Sequence, residues 1–223
     1  MYSILCSKFD QVVNEISNEL KKYIKSDAKV LILPWAFPVE LDKERFREEY
    51  FKKDEKRYNR YIKAMEQIGV KEAQIEVLSC YEENKIDIKL KIQKADIIFL
   101  PGGNPEMFYK KLVDEFGLYK TLKEYKGIII GESAGAVLHF GKYFLTEENS
   151  YYKVFEYYNG IGILEGNFEI DVHTINSKEY IDKLKHIAKK DQKTIYAILD
   201  DGAILVNRQN NEIQILNDTI VIN

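Results

Sequence analysis

The chain has 223 residues, 45% of them hydrophobic, and a formal net charge of −3. That length and composition give one domain, spanning 1–223, with a sizeable core, and exclude disorder as the main state. The charge balance excludes the basic field of a nucleic-acid binder, and no apolar run approaches the ~18–20 residues that cross a bilayer.

Tyr2 to Cys6 reads as a first strand. Phe9, Val12, Val13, Ile16, Leu20, Tyr23 and Ile24 then recur at the spacing of one helix face. Ala28 to Leu33 is a buried strand that Pro34 stops, and Trp35 to Pro38 forms a loop whose aromatics either line a pocket or pack. Asp42 to Ile68 reads as one long helix with a charged, solvent-facing side, ended by Gly69. Ala73 to Ser79 predicts a strand, Asp87 to Gln93 a short helix, and Ala95 to Leu100 another buried strand. Pro101-Gly102-Gly103-Asn104-Pro105 follows, either as a plain turn or as a loop whose N–H groups face a ligand. Helical segments start at Met107 and continue over Leu118 to Tyr125.

Lys126 to Leu138 then runs as a β-branched apolar strand, a turn through Gly131-Glu132-Ser133-Ala134-Gly135, and small helix-compatible residues. A G-x-S-x-G between strand and helix is the nucleophile-elbow pattern, with serine at the apex and helix N–H groups beyond it. Phe144 to Tyr158 is rich in tyrosine and reads as loop. Phe168 to His173 alternates like a half-buried strand, Ser177 is a fitting N-cap for a helix over Lys178 to Lys190, and Thr194 to Leu199 is a strand ending in Asp200-Asp201-Gly202. Ala203 to Asn207 and Ile213 to Ile222 close the chain as antiparallel strands around Asn210-Asn211. Strand and helix alternate up to about residue 145, so the sheet is expected to be mostly parallel with helices on both faces.

A serine needs a base, and the chain has three histidines. His139 shares a helix with Ser133, and His186 lies among lysines on another helix. His173, at a strand end, is the remaining candidate. For the acid that orients it, Asp200 ranks first, Asp201 second and Asp171 third, while Glu132 is expected to tune the pocket. The order Ser, His, Asp differs from the Ser, acid, His order of an α/β-hydrolase. A glutamine amidotransferase needs cysteine at the elbow, and Cys6 and Cys80 lie elsewhere. With no C-x-x-C or Cys/His cluster, no metal and no cofactor are expected.

Pro-Gly-Gly-Asn at 101–104, Gly-Glu-Ser-Ala-Gly-Ala at 131–136, the His173 strand end and the Asp-Asp-Gly turn at 200–202 together resemble the peptidase E family of serine peptidases, which includes cyanophycinase. The resemblance implies a class I glutamine amidotransferase-like fold: a flavodoxin-like three-layer α/β/α sandwich with antiparallel strands at the C-terminal edge. It implies Ser133 as nucleophile, His173 as base, Asp200 where the family usually has glutamate, and an oxyanion hole at the N–H groups of Gly103 and Ala134. Gly102, Asn104, Glu132 and Ser177 are the expected substrate contacts. Family members that cleave after aspartate carry an arginine that aligns near Ser177, so peptidase chemistry carries over more firmly than aspartyl-dipeptide specificity. A small peptide is the expected substrate of a cytoplasmic monomer or homodimer. The competing expectation is a non-catalytic ligand-binding or regulatory protein of the same fold.

Overall fold

The computed structural model describes residues 1–37, 41–53, 55–147 and 154–223. In chain order the elements are β1 (Tyr2–Cys6), α1 (Phe9–Leu20), β2 (Val30–Ile32), α2 (Lys43–Phe51), α3 (Lys56–Gln67), β3 (Ile75–Val77), α4 (Lys85–Lys94), β4 (Ile97–Leu100), α5 (Pro105–Tyr109), α6 (Tyr119–Lys123) and β5 (Ile128–Glu132). They continue as α7 (Ala134–Val137), β6 (Lys142–Leu145), β7 (Glu156–Asn159), β8 (Phe168–Val172), α8 (Lys178–Asp191), β9 (Thr194–Asn207) and β10 (Glu212–Ile222).

The main sheet runs β10-β9-β1-β5-β4-β2-β3, with β8 paired to β9. From β1 to β3 every pairing is parallel. β9 is antiparallel to both β1 and β10, and parallel to β8. A parallel sheet covered on both faces demands continuous apolar strands. Accordingly β4 reads Ile-Ile-Phe-Leu and is buried throughout, as are Ile129 and Ile130 of β5. Each such side chain contributes about 1.5–3 kcal/mol through burial.

The chain moves outward along the sheet from β1 to β2 and β3, then returns through β4 to β5. Right-handed crossovers therefore place α1, α2 and α3 on one face and α4, α5 and α6 on the other. The helix contacts agree: α1 packs on α3, α3 on α2, α4 on α6, and α5 on α7. The reversal brings the carboxyl ends of β1, β4 and β5 together, which is where an open α/β sheet leaves a crevice.

Several expectations need correction. The stretch 42–68 forms two helices, with Asp42 accepting from Arg45 N–H as the N-cap of α2 and Lys52 extended; residue 54 lies outside the described residues. Its charged side is not wholly solvent-facing, because Arg60 turns inward to the buried Glu132. The first part of 73–79 is a 3₁₀ turn over Glu72–Gln74 before β3 begins. A π-helical turn at Lys110–Glu115 interrupts the helical region after α5. The stretch 144–158 contains an antiparallel pair, β6 with β7, in which Tyr143 stacks on Tyr158 at 5.7 Å; residues 148–153 lie outside the described residues. β9 continues through Asp200-Asp201-Gly202 rather than ending there, but these residues bulge from its ladder with β10, where Ala203 pairs with Asn217 and Ile198 with Thr219. Trp35 and Phe37 are core: Trp35 Nε1 donates to Leu78 O at 2.9 Å, and Phe37 meets Phe46 at 5.5 Å. Pro38 lies outside the described residues.

Candidate active site

Ser133 sits between β5 and α7 at φ 49°, ψ −108°, a conformation that a side-chain-bearing residue adopts only under constraint. Its N–H donates to Cys6 O at 2.9 Å, which ties the turn to β1. A Cβ on Gly135 would stand 1.9 Å from Leu100 O, so only glycine lets α7 start this close to β4. The strain is thus held by two neighbouring strands. Ala134 occupies the first position of α7, where the N–H has no acceptor within the helix.

His173 follows β8 and has φ 58°. Its N–H donates to Ser7 Oγ at 2.9 Å, and Ser7 Oγ–H donates to Ile198 O at 2.9 Å. Ser7 is buried and follows β1, so it pins the histidine to both neighbouring strands. The parallel register sets Val172 opposite Ile198, which brings Asp200 level with the imidazole. His173 Nδ1 lies 2.7 Å from Asp200 Oδ1, and His173 Nε2 lies 2.9 Å from Ser133 Oγ. With Nδ1–H donating to the carboxylate, Nε2 is left as the acceptor for the serine hydroxyl.

Lys8 Nζ lies 2.5 Å from Asp200 Oδ2. Burial raises the Asp200 carboxyl, but the hydrogen bonds from Lys8 and His173 outweigh it and hold it below its ordinary range. No hydrogen bond joins either of the other two acids to His173. Asp171 accepts from Thr174 Oγ1 at 2.6 Å and from Tyr180 OH at 3.0 Å. Asp201 is exposed, and its carbonyl accepts from Asn217 Nδ2 at 2.7 Å.

Gly103 has φ 146°, and a Cβ there would lie 1.6 Å from Ala36 O. The next residue fixes the loop: Asn104 N–H donates to Ala36 O at 2.7 Å, while its side chain caps α5 by accepting from Met107 N–H at 3.0 Å. Gly102 N–H donates to Glu132 Oε2 at 3.3 Å. Glu132 is only 2% exposed. Its Oε1 accepts from Phe9 N–H at 3.3 Å and pairs with Arg60, whose guanidinium also meets Asp10 Oδ1 at 2.7 Å. Burial pushes the Glu132 carboxyl up, with Arg60 and the two N–H groups pulling the other way.

A cleft of about 590 Å³ opens over these groups, lined by Ser133, His173, Gly102, Gly103, Lys56, Arg57 and Arg60 among others. A smaller cavity of about 280 Å³, lined by Asp200 among others, shares Lys8 and His173 with the cleft. Of the expected site residues, Ser133, His173, Asp200, Gly102, Gly103, Ala134 and Glu132 converge. Asn104 serves its own helix, and Ser177 is exposed, its hydroxyl accepting from Tyr180 N–H at 3.2 Å as the N-cap of α8. His139 is fully buried, with Nδ1–H donating to Gly135 O at 2.7 Å, and burial drives it down to about 3. His186 is on the surface. Sequence patterning missed Ser7, Lys8 and Arg60. The first two directly follow β1, and a strand end at the crevice was the available signal.

Among the described residues no group of three or more His, Cys, Asp or Glu side chains stands together as a metal-holding set, and no helix is long and apolar enough to cross a membrane.

Comparison with known proteins bears on the whole chain. Fifteen solved chains match it, and two of them share its fold over nearly the whole chain. One is a candidate peptidase E protein from Listeria monocytogenes EGD-e, with TM-score 0.65, 21% identity and 96% of each chain covered. The other is a peptidase from an acI-B1 Actinobacterium, with TM-score 0.64, 16% identity, and 97% of this chain and 87% of that one covered. Their likeness agrees with a class I glutamine amidotransferase-like fold. No curated protein matches the chain. The model of Peptidase family S51 matches residues 7–215, which takes in the elbow, the Gly102-Gly103 loop, His173 and Asp200. The chain therefore belongs to peptidase family S51, the peptidase E family of serine peptidases.

Proposed function

We propose that this peptidase hydrolyses small peptides with Ser133 as nucleophile, His173 as general base and acid, and Asp200 as the group that orients the imidazole. The observation that carries this is the unbroken line Ser133 Oγ, His173 Nε2, His173 Nδ1, Asp200 Oδ1, with contacts of 2.9 and 2.7 Å. Ser133 Oγ attacks the scissile carbonyl as His173 Nε2 takes its proton. The proton passes to the leaving amine, which departs and leaves an acyl-serine. Water, deprotonated by the same imidazole, then releases the acid. Asp200 holds the Nε2-acceptor tautomer and stabilises the imidazolium, and Lys8 keeps Asp200 ionised.

The N–H groups of Gly103 and Ala134 are the oxyanion donors in this reading. A pair of such donors aimed at developing charge is usually the largest single contribution, about 2.7–4 kcal/mol for each donor. The strained Ser133 supports the assignment, since strain of this kind clusters where an atom must be presented outward.

The cleft bears on the substrate. Its wall carries Lys56 and Arg57, the latter also paired with Glu49 at 2.9 Å, and these cations favour a peptide with a carboxylate near the scissile bond. These groups come from α3, not from the segment after His173. A cytoplasmic setting belongs to the same proposal and is supported by two unpaired cysteines, Cys6 and Cys80.

A dipeptide-library hydrolysis screen tests the reading, run on wild type beside Ser133→Ala. The expected result is turnover by wild type only, biased towards aspartyl and glutamyl peptides over their amides. Binding of peptides with no hydrolysis over hours overturns it in favour of a ligand-binding protein. Turnover without acidic bias overturns the carboxylate preference alone.

A further inference from the structure

We infer that Glu132, charge-paired with Arg60, is a positioning residue that sets the Gly102-Gly103 loop, and with it one oxyanion donor, relative to Ser133. The inference rests on the reading of Gly103 N–H as an oxyanion donor.

Glu132 is the last residue of β5 and immediately precedes Ser133, so its carboxylate is anchored to the nucleophile's own strand. One oxygen accepts Gly102 N–H from the loop after β4, and the other accepts Phe9 N–H from the start of α1. One buried side chain thereby holds three segments that converge on the crevice. Gly102 N–H belongs to the peptide plane next to the one that carries Gly103 N–H, so holding it leaves only the two dihedrals of Gly102 between the fixed plane and that donor. Contact across the gap is tight as well: a Cβ on Gly102 would stand 3.2 Å from Ser133 Cβ.

Both N–H groups need an acceptor, which a carboxylate supplies on each oxygen. A carboxylic acid or an amide keeps one acceptor oxygen and turns a donor towards a donor. Arg60 is what keeps the buried carboxylate charged, and removing one partner of a buried pair leaves the other uncompensated. Asp10 on α1 shares the guanidinium. The remaining titratable groups that face Glu132 are Cys6 on β1 and Tyr61 on α3, both buried and both raised chiefly by burial. Neither supplies positive charge, so Arg60 alone among the described groups around Glu132 does. It reaches this point from α3, so the loop geometry also depends on how that helix is docked.

The test uses a fluorophosphonate probe on the purified full chain, read as labelling rate against probe concentration and against pH. The oxyanion donors act on the bond-forming step, so Glu132→Gln is expected to lower the maximal labelling rate at least ~10-fold while the half-saturating probe concentration stays within about twofold. Arg60→Met removes the charge that keeps Glu132 ionised. The acid limb of its rate profile is expected to move to higher pH, Arg60→Lys is expected to restore most of the wild-type profile, and Arg60→Met in the Glu132→Gln background is expected to add no further shift. If Glu132→Gln fails to fold, the Arg60 pair still decides, because Arg60 is a third exposed. Wild-type labelling with Glu132→Gln within twofold of it, or with no pH shift in Arg60→Met, overturns the inference and leaves the nucleophile assignment standing. No Ser133-dependent labelling in wild type overturns both.

Discussion

At the scale of single residues, the imidazole of His173 is the hinge of the proposed chemistry, and its neighbours differ in what they are expected to contribute. Asp200→Asn keeps the shape but presents an amide to Nδ1, so the tautomer that accepts the serine proton is lost. Its kcat is expected to fall by about 10²–10⁴-fold, measured on any substrate found in the library screen. Lys8 acts through Asp200 and is itself partly exposed, so Lys8→Met is expected to lose much less, about tenfold or under. Equal losses for the two variants would contradict Asp200 as the acid that orients His173. Gly103 offers a sharper case. Its φ of 146° and a would-be Cβ 1.6 Å from Ala36 O mean that Gly103→Ala must shift the loop. Loss of one oxyanion donor costs about 10²–10³ in kcat, and that loss is the expected result. Ser133 and His173 stand out in the sequence because each directly follows a strand, and Asp200 because it opens the local Asp-Asp-Gly pattern within β9. Ser7, Lys8 and Arg60 do not, since each reaches the site across a long stretch of chain. Lys8 meets Asp200, and Arg60 meets Glu132, through contacts that no short motif encodes.

At the scale of elements, the parallel strands were the easiest to read. Ile128-Ile129-Ile130 and Ile97 to Leu100 are apolar throughout because both faces of the sheet are covered. The split of 42–68 into α2 and α3 was not legible: Lys52 to Glu55 holds no glycine or proline, and the break is imposed by packing that turns Phe46 and Tyr50 of α2 and Tyr61 of α3 inward. The β6–β7 pair was obscured by its tyrosines, because Tyr157 and Tyr158 are adjacent and both partly exposed, so no alternation marks the strand. Ser177 is the informative element boundary. It lies outside the cleft and accepts from Tyr180 N–H as an N-cap. Ser177→Ala is therefore expected to cost about 1 kcal/mol in urea unfolding while peptide hydrolysis stays at the wild-type rate. A raised KM with unchanged stability would return Ser177 to the substrate site.

At the scale of the whole molecule, the sheet order explains why residues on or just after five strands meet: the reversal brings the ends of β1, β4 and β5 together at the crevice, and β9 and β8 carry Asp200 and His173 to its rim. Burying the elbow's surroundings leaves a signature in stability. His139 is neutral in the fold, with its value driven from 6.5 to about 3 by burial, so the unfolded chain takes up a proton that the folded chain refuses. Its contribution is complete above pH 6.5 and is lost as pH falls from there towards 3, at about 1.4 kcal/mol per pH unit. His139→Asn, which preserves a donor for Gly135 O, is expected to flatten the difference between urea unfolding at pH 7 and at pH 5. An unchanged difference would place the acid sensitivity elsewhere. The nucleophile assignment is tested most directly by mapping a fluorophosphonate adduct by mass spectrometry. The expected result is a single adduct on the peptide carrying Ser133, absent in Ser133→Ala and strongly slowed in His173→Ala. An adduct on another residue, or labelling that persists in Ser133→Ala, would contradict it.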